Sequence, residues 1–453
     1  MHETVKSKHG ICLSAREAVL KALIAFRRDN AWPDLVLGKL IEQFFISARD
    51  AALATRILNG VLQNLFLCDY YIACFSSIDL KKIEPRVLDI LRLSVYQIVF
   101  MDKIPANAAV NEGVILVKKN SNPRAAGFVN AVLRKTVQAV ESSLLPDIAG
   151  DMVQRLSIKY SHPQWFIMKL SGILDDESIE AFLKADNKTD LPVSVQVNTL
   201  LTDIDNALAV LREDGVEAVR HNWLDNCIDL RCVRHFTRLN AYKSGFIYVQ
   251  DAAARLAVIA AGPKPGDLVI DGCAAPGGKS FASAIVMGNS GKIIANDIYE
   301  SKLQRLEESA GRLGITIIDV ICRDITEITP ALHGADVVFA DVPCSGFGII
   351  RKRPDIRFKS ELEISGLPDI QRKILMALST YVKPGGILLY STCTIFRREN
   401  ECIIEEFLRD NKQFYTESFS LPGIGFIQEG MITLWPHIHD TDGFFICKLR
   451  RAV

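Results

Sequence analysis

Two apolar runs in this chain each end in a cysteine. Val337–Ala340 leads into Asp341-Val342-Pro343-Cys344-Ser345-Gly346, and Ile387–Tyr390 leads into Ser391-Thr392-Cys393-Thr394. Read as adjacent strands of a doubly wound sheet, roughly 5 Å apart, they bring both thiols to the carboxyl edge where ligands of such sheets sit. A thiolate there could add to an electron-poor ring carbon. Carbon 5 of cytosine is a poor nucleophile. Thiolate addition to carbon 6 makes it enamine-like, able to attack a methyl sulfonium, after which a base removes the proton on carbon 5 and the thiol leaves. A free thiol has a pKa of about 8.5 and needs a cation or base to activate it. Lys279, Arg351, Lys352 and Arg353 are the candidates. Asp341 is placed to hydrogen-bond the base or the amino-acid end of a cofactor, and as a donor to the base it would have to be protonated. Methylation of an amino group would call for an Asn/Asp-Pro-Pro-aromatic sequence. Here Cys344 follows the proline, which points to carbon. The residues alone do not decide which thiol attacks.

A loop that could hold the methyl donor lies upstream. Leu268–Asp271 is followed by Gly272-Cys273-Ala274-Ala275-Pro276-Gly277-Gly278-Lys279-Ser280, which enters a helical segment. Small residues let backbone N–H groups approach a ligand, and a helix N-terminus favours negative charge. The next two strand-like runs end at Asp297 and Asp324, carboxylates at the same rim. The loop lacks the G-x-G-x-x-G of nicotinamide sites, and from Gly272 to Gly278 it is one residue too long for the phosphate loop that Gly278-Lys279-Ser280 imitates.

The elements that must position these residues follow from periodicity. From Gly245 onward the short runs Leu268–Asp271, Lys292–Asn296, Ile317–Ile321, Val337–Ala340 and Ile387–Tyr390 alternate with helical segments, the pattern of a parallel sheet covered on both faces. Residues 146–244 read as a small α+β unit. It has helices around Trp165–Leu170 and Ile179–Leu183, a strand at Val193–Val197, a helix at Ile204–Leu211 ended by Asp214-Gly215, and a strand from Val219. Residues 1–145 read as all helix, opening on Ser14 and Glu17 at capping-box spacing. Helical patterns follow at Ile57–Leu67, Val87–Phe100 and Ala109–Val117.

The 453 residues carry no formal net charge and are 49% hydrophobic, which argues against a disordered basic tail but leaves local basic patches open. Lys6 and Lys8 are not followed by an apolar run, and Val87–Met101 is interrupted by Asp89 and Arg92, so neither a secretory leader nor a membrane span of about 20 apolar residues is expected. Eleven cysteines from Cys12 to Cys447 form no C-x-x-C pair. No metal site and a reducing, cytoplasmic setting are therefore expected.

DGCAAPGGKS, DVPCSGFG and STCT closely resemble the Sun family of RNA cytosine-5 methyltransferases. NAAVNEGVILVKK and AAGFVNAVLRK resemble the antitermination factor NusB. Together they resemble the bacterial RsmB-type enzymes that methylate cytosine in 16S ribosomal RNA, over essentially the whole chain. The resemblance implies three parts: an all-α NusB-like RNA-binding domain (1–145), a small α+β domain (146–244), and an α/β Rossmann-like, S-adenosylmethionine-dependent catalytic domain (245–453). It implies that Cys273, Ala274, Ala275, Pro276, Gly277, Gly278 and Lys279 bind S-adenosylmethionine. Asp297 would hold the ribose, Asp324 the adenine side, and Asp341 would lie by the methionine end and the target base. It makes Cys393 the nucleophile and Cys344 the thiol that assists release. Gly272 stands where the family often has Leu, Val342 where it has Ala, Phe347 where it has Thr, and Gln196-Val197-Asn198 where Arg-Val-Asn is typical.

The expected partner is RNA, 16S ribosomal RNA by resemblance, with no DNA or membrane partner and a monomer as the default. The target base must be unstacked or already single-stranded. Arg351, Lys352, Arg353, Arg357 and Lys359 are placed to hold phosphates beside the pocket, and Lys118, Lys119, Arg124, Arg134 and Lys135 form a second candidate patch. Tyr160, His162 and Trp165 are read as packing residues. The alternatives are the same chemistry on transfer RNA, a non-catalytic RNA-binding scaffold, and a cysteine hydrolase using His333 or His437.

Overall fold

The fold was taken from a computed structural model, which describes residues 13–29, 31–231, 233 and 236–453. Lys6, Lys8 and Cys12 lie outside the described residues, as does Cys232. The chain forms two compact units, one through Leu183 and one from Lys184 to Val453.

In the first unit the Ser14 hydroxyl accepts the Glu17 N–H at 3.2 Å and the Glu17 carboxylate accepts the Ser14 N–H at 3.1 Å, the reciprocal pair expected of a capping box. It starts the helix Ala15–Asp29. Pro33–Gln43, Ala48–Gln63, Leu65–Phe75, Pro85–Phe100, Ala106–Asn120 and Ala126–Glu141 come next along the chain. The pattern at Ile57–Leu67 is two helices broken at Asn64. Pro85–Phe100 is the central helix, and the charges that interrupt it are paired: Asp89 is 2% exposed and meets Arg27 and Arg92, both at 3.1 Å. No single helix among the described residues is long and apolar enough to cross a membrane. Met152–Tyr160, Gln164–Ser171 and Asp176–Asp186 complete the helical series. His162 is buried and stacks on Phe166, the packing role expected of it.

The second unit opens with strands β1 (Val193–Val197), β2 (Glu217–Arg220), β3 (Cys227–Arg231) and β4 (Ile247–Val249), paired antiparallel in the order β2-β3-β1-β4. The helix Ile204–Glu213 packs Ala207, Leu208 and Leu211 onto this sheet, against Val195, Val197, Ile228 and Leu230. Asn198 ties the small sheet to the rest of this unit, its amide donating to Gly245 O at 3.0 Å and Leu313 O at 2.8 Å.

The main sheet contains β5 (Leu268–Asp271), β6 (Lys292–Asp297), β7 (Ile318–Cys322), β8 (Ala335–Asp341), β9 (Val382–Thr392), β10 (Phe414–Thr416), β13 (Met431–Leu434) and β14 (Phe444–Arg451), while β11 (Phe419–Leu421) and β12 (Gly425–Ile427) form a separate hairpin. The path is β10-β14-β9-β8-β5-β6-β7, with β13 on β14. The pairs among β5 to β9 are parallel, as the alternating pattern predicts. The sheet is nevertheless mixed. Beyond β9, strands β10, β13 and β14 run antiparallel to their neighbours. Between β10 and β14 the chain forms the β11–β12 hairpin and β13, with one four-residue helix, rather than a helical crossover. Alternate β5 side chains bury opposite faces. Val269 packs with the helices Ala252–Ala261, Gly278–Val286 and Glu300–Arg312. Ile270 packs with Leu367–Ser379 and Glu401–Asp410.

The loops after β8 and β9 meet at Gly348, whose N–H donates to Cys393 O at 2.9 Å while its carbonyl accepts from Gly443 N–H at 2.8 Å. A Cβ at 348 would collide with Gly443 O and crowd Cys393 O. Both are backbone atoms that cannot swing aside. Gly348→Ala is expected to cost at least about 2 kcal/mol and to lower the melting temperature of this unit by roughly 5 °C or more. Calorimetry checks this, and an unchanged melt would mean that the loops separate freely.

Candidate active site

The parallel register of β8 and β9 sets Asp341 against Ser391. Two and three residues further on, the chain reaches Cys393 and Cys344, whose sulfurs lie 3.1 Å apart. Contact with Cys393 and burial, reinforced by the charges of Cys393 and Glu399, push the Cys344 thiol well above its usual range. This favours the protonated form of Cys344.

Asp341 is held from two sides. Ser391 Oγ donates to Oδ1 at 2.7 Å, and Lys279 Nζ reaches Oδ2 at 2.6 Å. Lys279 is buried, with its ammonium 5.2 Å from the Phe444 ring centroid. It lines a cavity of about 240 Å³ together with Cys393, Asp341, Ala274, Ala275, Pro276, Gly278, Asp271 and Gln250. This is the meeting of loop, acid and thiol that the sequence suggests.

The loop is shaped by three features. The Ala275–Pro276 peptide is cis. Gly277 caps the helix Gly278–Val286 at φ +109°, a conformation side chains rarely adopt, and a Cβ there would meet Phe281. Asp297, at the end of β6, accepts the Ala275 N–H at 3.3 Å and the Tyr299 N–H at 3.0 Å. Gly272 leaves the space that Leu378 fills.

Not every expected residue reaches this cavity. Cys273, Gly277, Asp297, Asp324 and Cys344 are absent from its lining. Cys273 is a mostly buried thiol raised by burial and nearby carboxylates. Asp324 is exposed, its Oδ1 accepting from Thr326 N–H at 2.9 Å and Thr326 Oγ1 at 2.7 Å, which holds its own turn and lowers its pKa.

Among the lining residues not singled out from the sequence, two carry unpartnered polar atoms. Asp271 is 1% exposed. Ser280 Oγ donates to Oδ2 at 2.7 Å, while Oδ1 has no partner. Burial raises its pKa to about 6. Gln250 is 5% exposed, and its Nε2 is likewise unpartnered. An orphaned buried acceptor and an orphaned buried donor facing one cavity fit a ligand with an ammonium and a carboxylate. The end of β5 before a small-residue loop is a signal that could have found Asp271. Gln250 carries no local signal.

The basic stretch after Cys344 is a correction. The sequence assigns it to phosphates, but its cations are engaged within the chain. Arg351 Nε donates to Asp442 at 2.8 Å, both side chains 5% exposed. Lys352 bridges Asp442 at 2.8 Å and Asp251. Arg353 pairs with Asp355 at 3.3 Å, the buried Arg357 donates to Asn187 at 3.0 Å, and Lys359 donates to Ser345 O at 2.8 Å. Asp251 and Asp442 are about a hundred residues away in sequence, so the pairing was not visible there. Among the other candidate activators, Lys279 alone lines the cavity. In the first unit Lys118, Lys119, Arg124, Arg134 and Lys135 are exposed, with Lys119 bound to Glu17 at 2.6 Å. Gln196 in the middle sheet is buried and donates to Gln250 O at 3.2 Å. No cluster of potential metal ligands occurs among the described residues.

Comparison with known proteins places this geometry in a family. Residues 258–450 match the 16S rRNA methyltransferase RsmB/F model, residues 13–138 the NusB family, and residues 162–234 the RsmF/B-like ferredoxin-like domain. The chain is 32% identical over 450 residues to the probable ribosomal RNA small subunit methyltransferase B of Bacillus subtilis, covering 97% of this chain and 99% of that one. It is 32% identical to the ribosomal RNA small subunit methyltransferase B of Vibrio cholerae, covering 98% of each. One crystal structure superposes with a TM-score of 0.80 at 29% identity, covering 98% of this chain and all of the other. With three consecutive matches and full-length relatives above 30% identity, the chain belongs to the RsmB/F family of 16S rRNA methyltransferases and carries that family's catalytic domain behind a NusB-family domain.

Proposed function

We propose that this protein methylates carbon 5 of a cytosine in small-subunit ribosomal RNA, with Cys393 as the covalent nucleophile. The observation that carries the reading is the pair of sulfurs 3.1 Å apart, one of them lining the cavity beside a cationic lysine. A methyltransferase acting on nitrogen or oxygen has no use for two thiols at that edge.

S-adenosylmethionine, when bound, supplies an electrophilic methyl group on a sulfonium. Its amino-acid end suits the unpartnered groups, with Asp271 Oδ1 accepting from the ammonium and Gln250 Nε2 donating to the carboxylate. Ala274, Ala275, Pro276, Gly278 and Lys279 of the loop Cys273 to Lys279 would line its site, and Asp297, which already holds Ala275, would take the ribose. Asp324 marks the adenine side from the rim.

Cys393 adds to carbon 6 of the cytosine, with its charge stabilised by Lys279 across the cavity. The carbon 5–carbon 6 π pair moves into the ring and makes carbon 5 the nucleophile. Asp341, fixed by Ser391 and Lys279, orients the base. Once carbon 5 carries the methyl group, a base such as water or hydroxide in the open cavity takes its proton, and the freed pair re-forms the carbon 5–carbon 6 double bond as the Cys393 thiolate leaves. Cys344, protonated and 3.1 Å away, donates to that leaving sulfur and lowers the barrier to release. The exposed cations of the NusB-family domain contribute phosphate contacts that are independent of sequence.

With unmodified small-subunit ribosomal RNA and labelled S-adenosylmethionine, Cys393→Ala is expected to lose at least about three orders of magnitude in methyl transfer. Cys344→Ala is expected to accumulate a protein–RNA adduct on a denaturing gel. Methylation by Cys393→Ala would overturn the assignment. A pH dependence follows from Asp271. Its carboxyl is raised to about 6, and pairing with an ammonium lowers it again, so binding releases a proton. S-adenosylmethionine affinity should therefore fall as pH drops through about 6, and Asp271→Asn should flatten that dependence at the weak, acidic level. Calorimetric titration across this range checks it, and an unchanged pH profile in Asp271→Asn would remove Asp271 from the site.

A further inference from the structure

Behind the two thiols lies a buried polar layer that no step above uses. Glu399 is 3% exposed. Its Oε2 accepts the Ser345 N–H and Gln371 Nε2, both at 2.9 Å. Gln371 Nε2 also donates to Pro343 O at 3.0 Å, so the carboxylate grips the chain on both sides of Cys344. On the other loop, Asn400 Nδ2 donates to Thr394 O at 3.0 Å and its Oδ1 accepts from Thr392 Oγ1, gripping both sides of Cys393. Ser345 Oγ and Thr394 Oγ1 share a hydrogen bond at 2.8 Å and close the ring between the loops. Tyr390 OH donates to Glu399 O at 2.6 Å and anchors the turn to β9.

We propose that Glu399 is a positioning residue that fixes the separation of Cys344 and Cys393 by holding the Cys344 loop against the turn that carries Asn400. The proposal rests on the reading above for the use made of the thiols, but the geometry it explains is that of the free protein. Its chemistry is specific to a carboxylate. Both groups that meet Oε2 are donors, and an ionised acceptor makes the stronger hydrogen bonds. A glutamine can offer its one oxygen to both donors only as a neutral, weaker acceptor, and its NH₂ then replaces Oε1, which accepts from Thr394 Oγ1 at 3.5 Å. The loop then relaxes, and Cys344 moves with it because Ser345 is its immediate neighbour.

The test uses the full chain and an arsenical, phenylarsine oxide, which binds only where two thiols can bridge one arsenic. Wild type, Glu399→Gln and Gln371→Met are compared, with Cys344→Ala as the background. Melting curves and S-adenosylmethionine affinity serve as controls. Glu399→Gln is expected to bind the arsenical about tenfold more weakly, and to transfer methyl groups from saturating S-adenosylmethionine slower by a similar factor. Its affinity for S-adenosylmethionine should stay within about twofold of wild type, because none of the perturbed bonds reaches that site. Gln371→Met, which removes the anchor of the carboxylate and the bond to Pro343 O but leaves Glu399 on the Ser345 N–H, should shift arsenical binding in the same direction by a smaller factor. Wild-type arsenical affinity in a folded Glu399→Gln overturns the proposal, and if that variant does not fold, wild-type affinity in Gln371→Met does so. A wild-type protein that binds the arsenical through Cys344 and Cys393 yet methylates no cytosine would remove the proposed function and leave the role of Glu399 standing.

Discussion

The parallel pairing of β8 with β9 is the constraint on which the site depends. Its register puts Asp341 beside Ser391 and lets two loops of unrelated sequence end in touching sulfurs. A slip of one residue would turn Ser391 to the other face of the sheet and take its hydrogen bond from Asp341. Burial enforces the register from both sides, because Val338, Leu388 and Tyr390 pack in one core and Val337, Phe339 and Leu389 in the other. The antiparallel strand β14 then covers the outer edge of β9 and delivers Asp442 and Gly443 to the loop after Cys344.

Charge is arranged as carefully as shape. Asp251, Asp271, Asp341 and Asp442 all line one small cavity, an arrangement that would repel itself without compensation. Lys352 and Arg351 neutralise Asp251 and Asp442, Lys279 answers Asp341, and Asp271 has its pKa raised instead. That division leaves Lys279 as the cation facing the cavity with Cys393. It also explains why the basic run after Cys344 holds the site together rather than reaching out to phosphate.

Much of this was legible in the sequence wherever the determinant is local. The Ser14–Glu17 cap, the strand at Val193–Val197, the five parallel runs and the two terminal cysteines each follow from spacing within a dozen residues. What was not legible depends on distant partners. The antiparallel strands after β9 share no helix-punctuated rhythm, and β10 and β13 are only three and four residues long. The partners of Arg351 and Lys352 are about ninety to a hundred residues away. Gln250 and Glu399 matter through what they touch, and nothing in their neighbours announces it. Asp324 stands at a strand end as its place in the sequence suggests, but outside the cavity lining, with its carboxylate on Thr326, a partner that strand-end spacing does not announce.

The most direct test of the covalent account is the site of attachment itself. RNA carrying 5-fluorocytidine at the target position blocks loss of the carbon 5 substituent and should trap the protein after methyl transfer. Digestion of the adduct and mass spectrometry then identify the modified side chain. The account predicts a single nucleotide-bearing peptide containing Cys393. Attachment at Cys344, or methylated RNA with no protein attached, would contradict it.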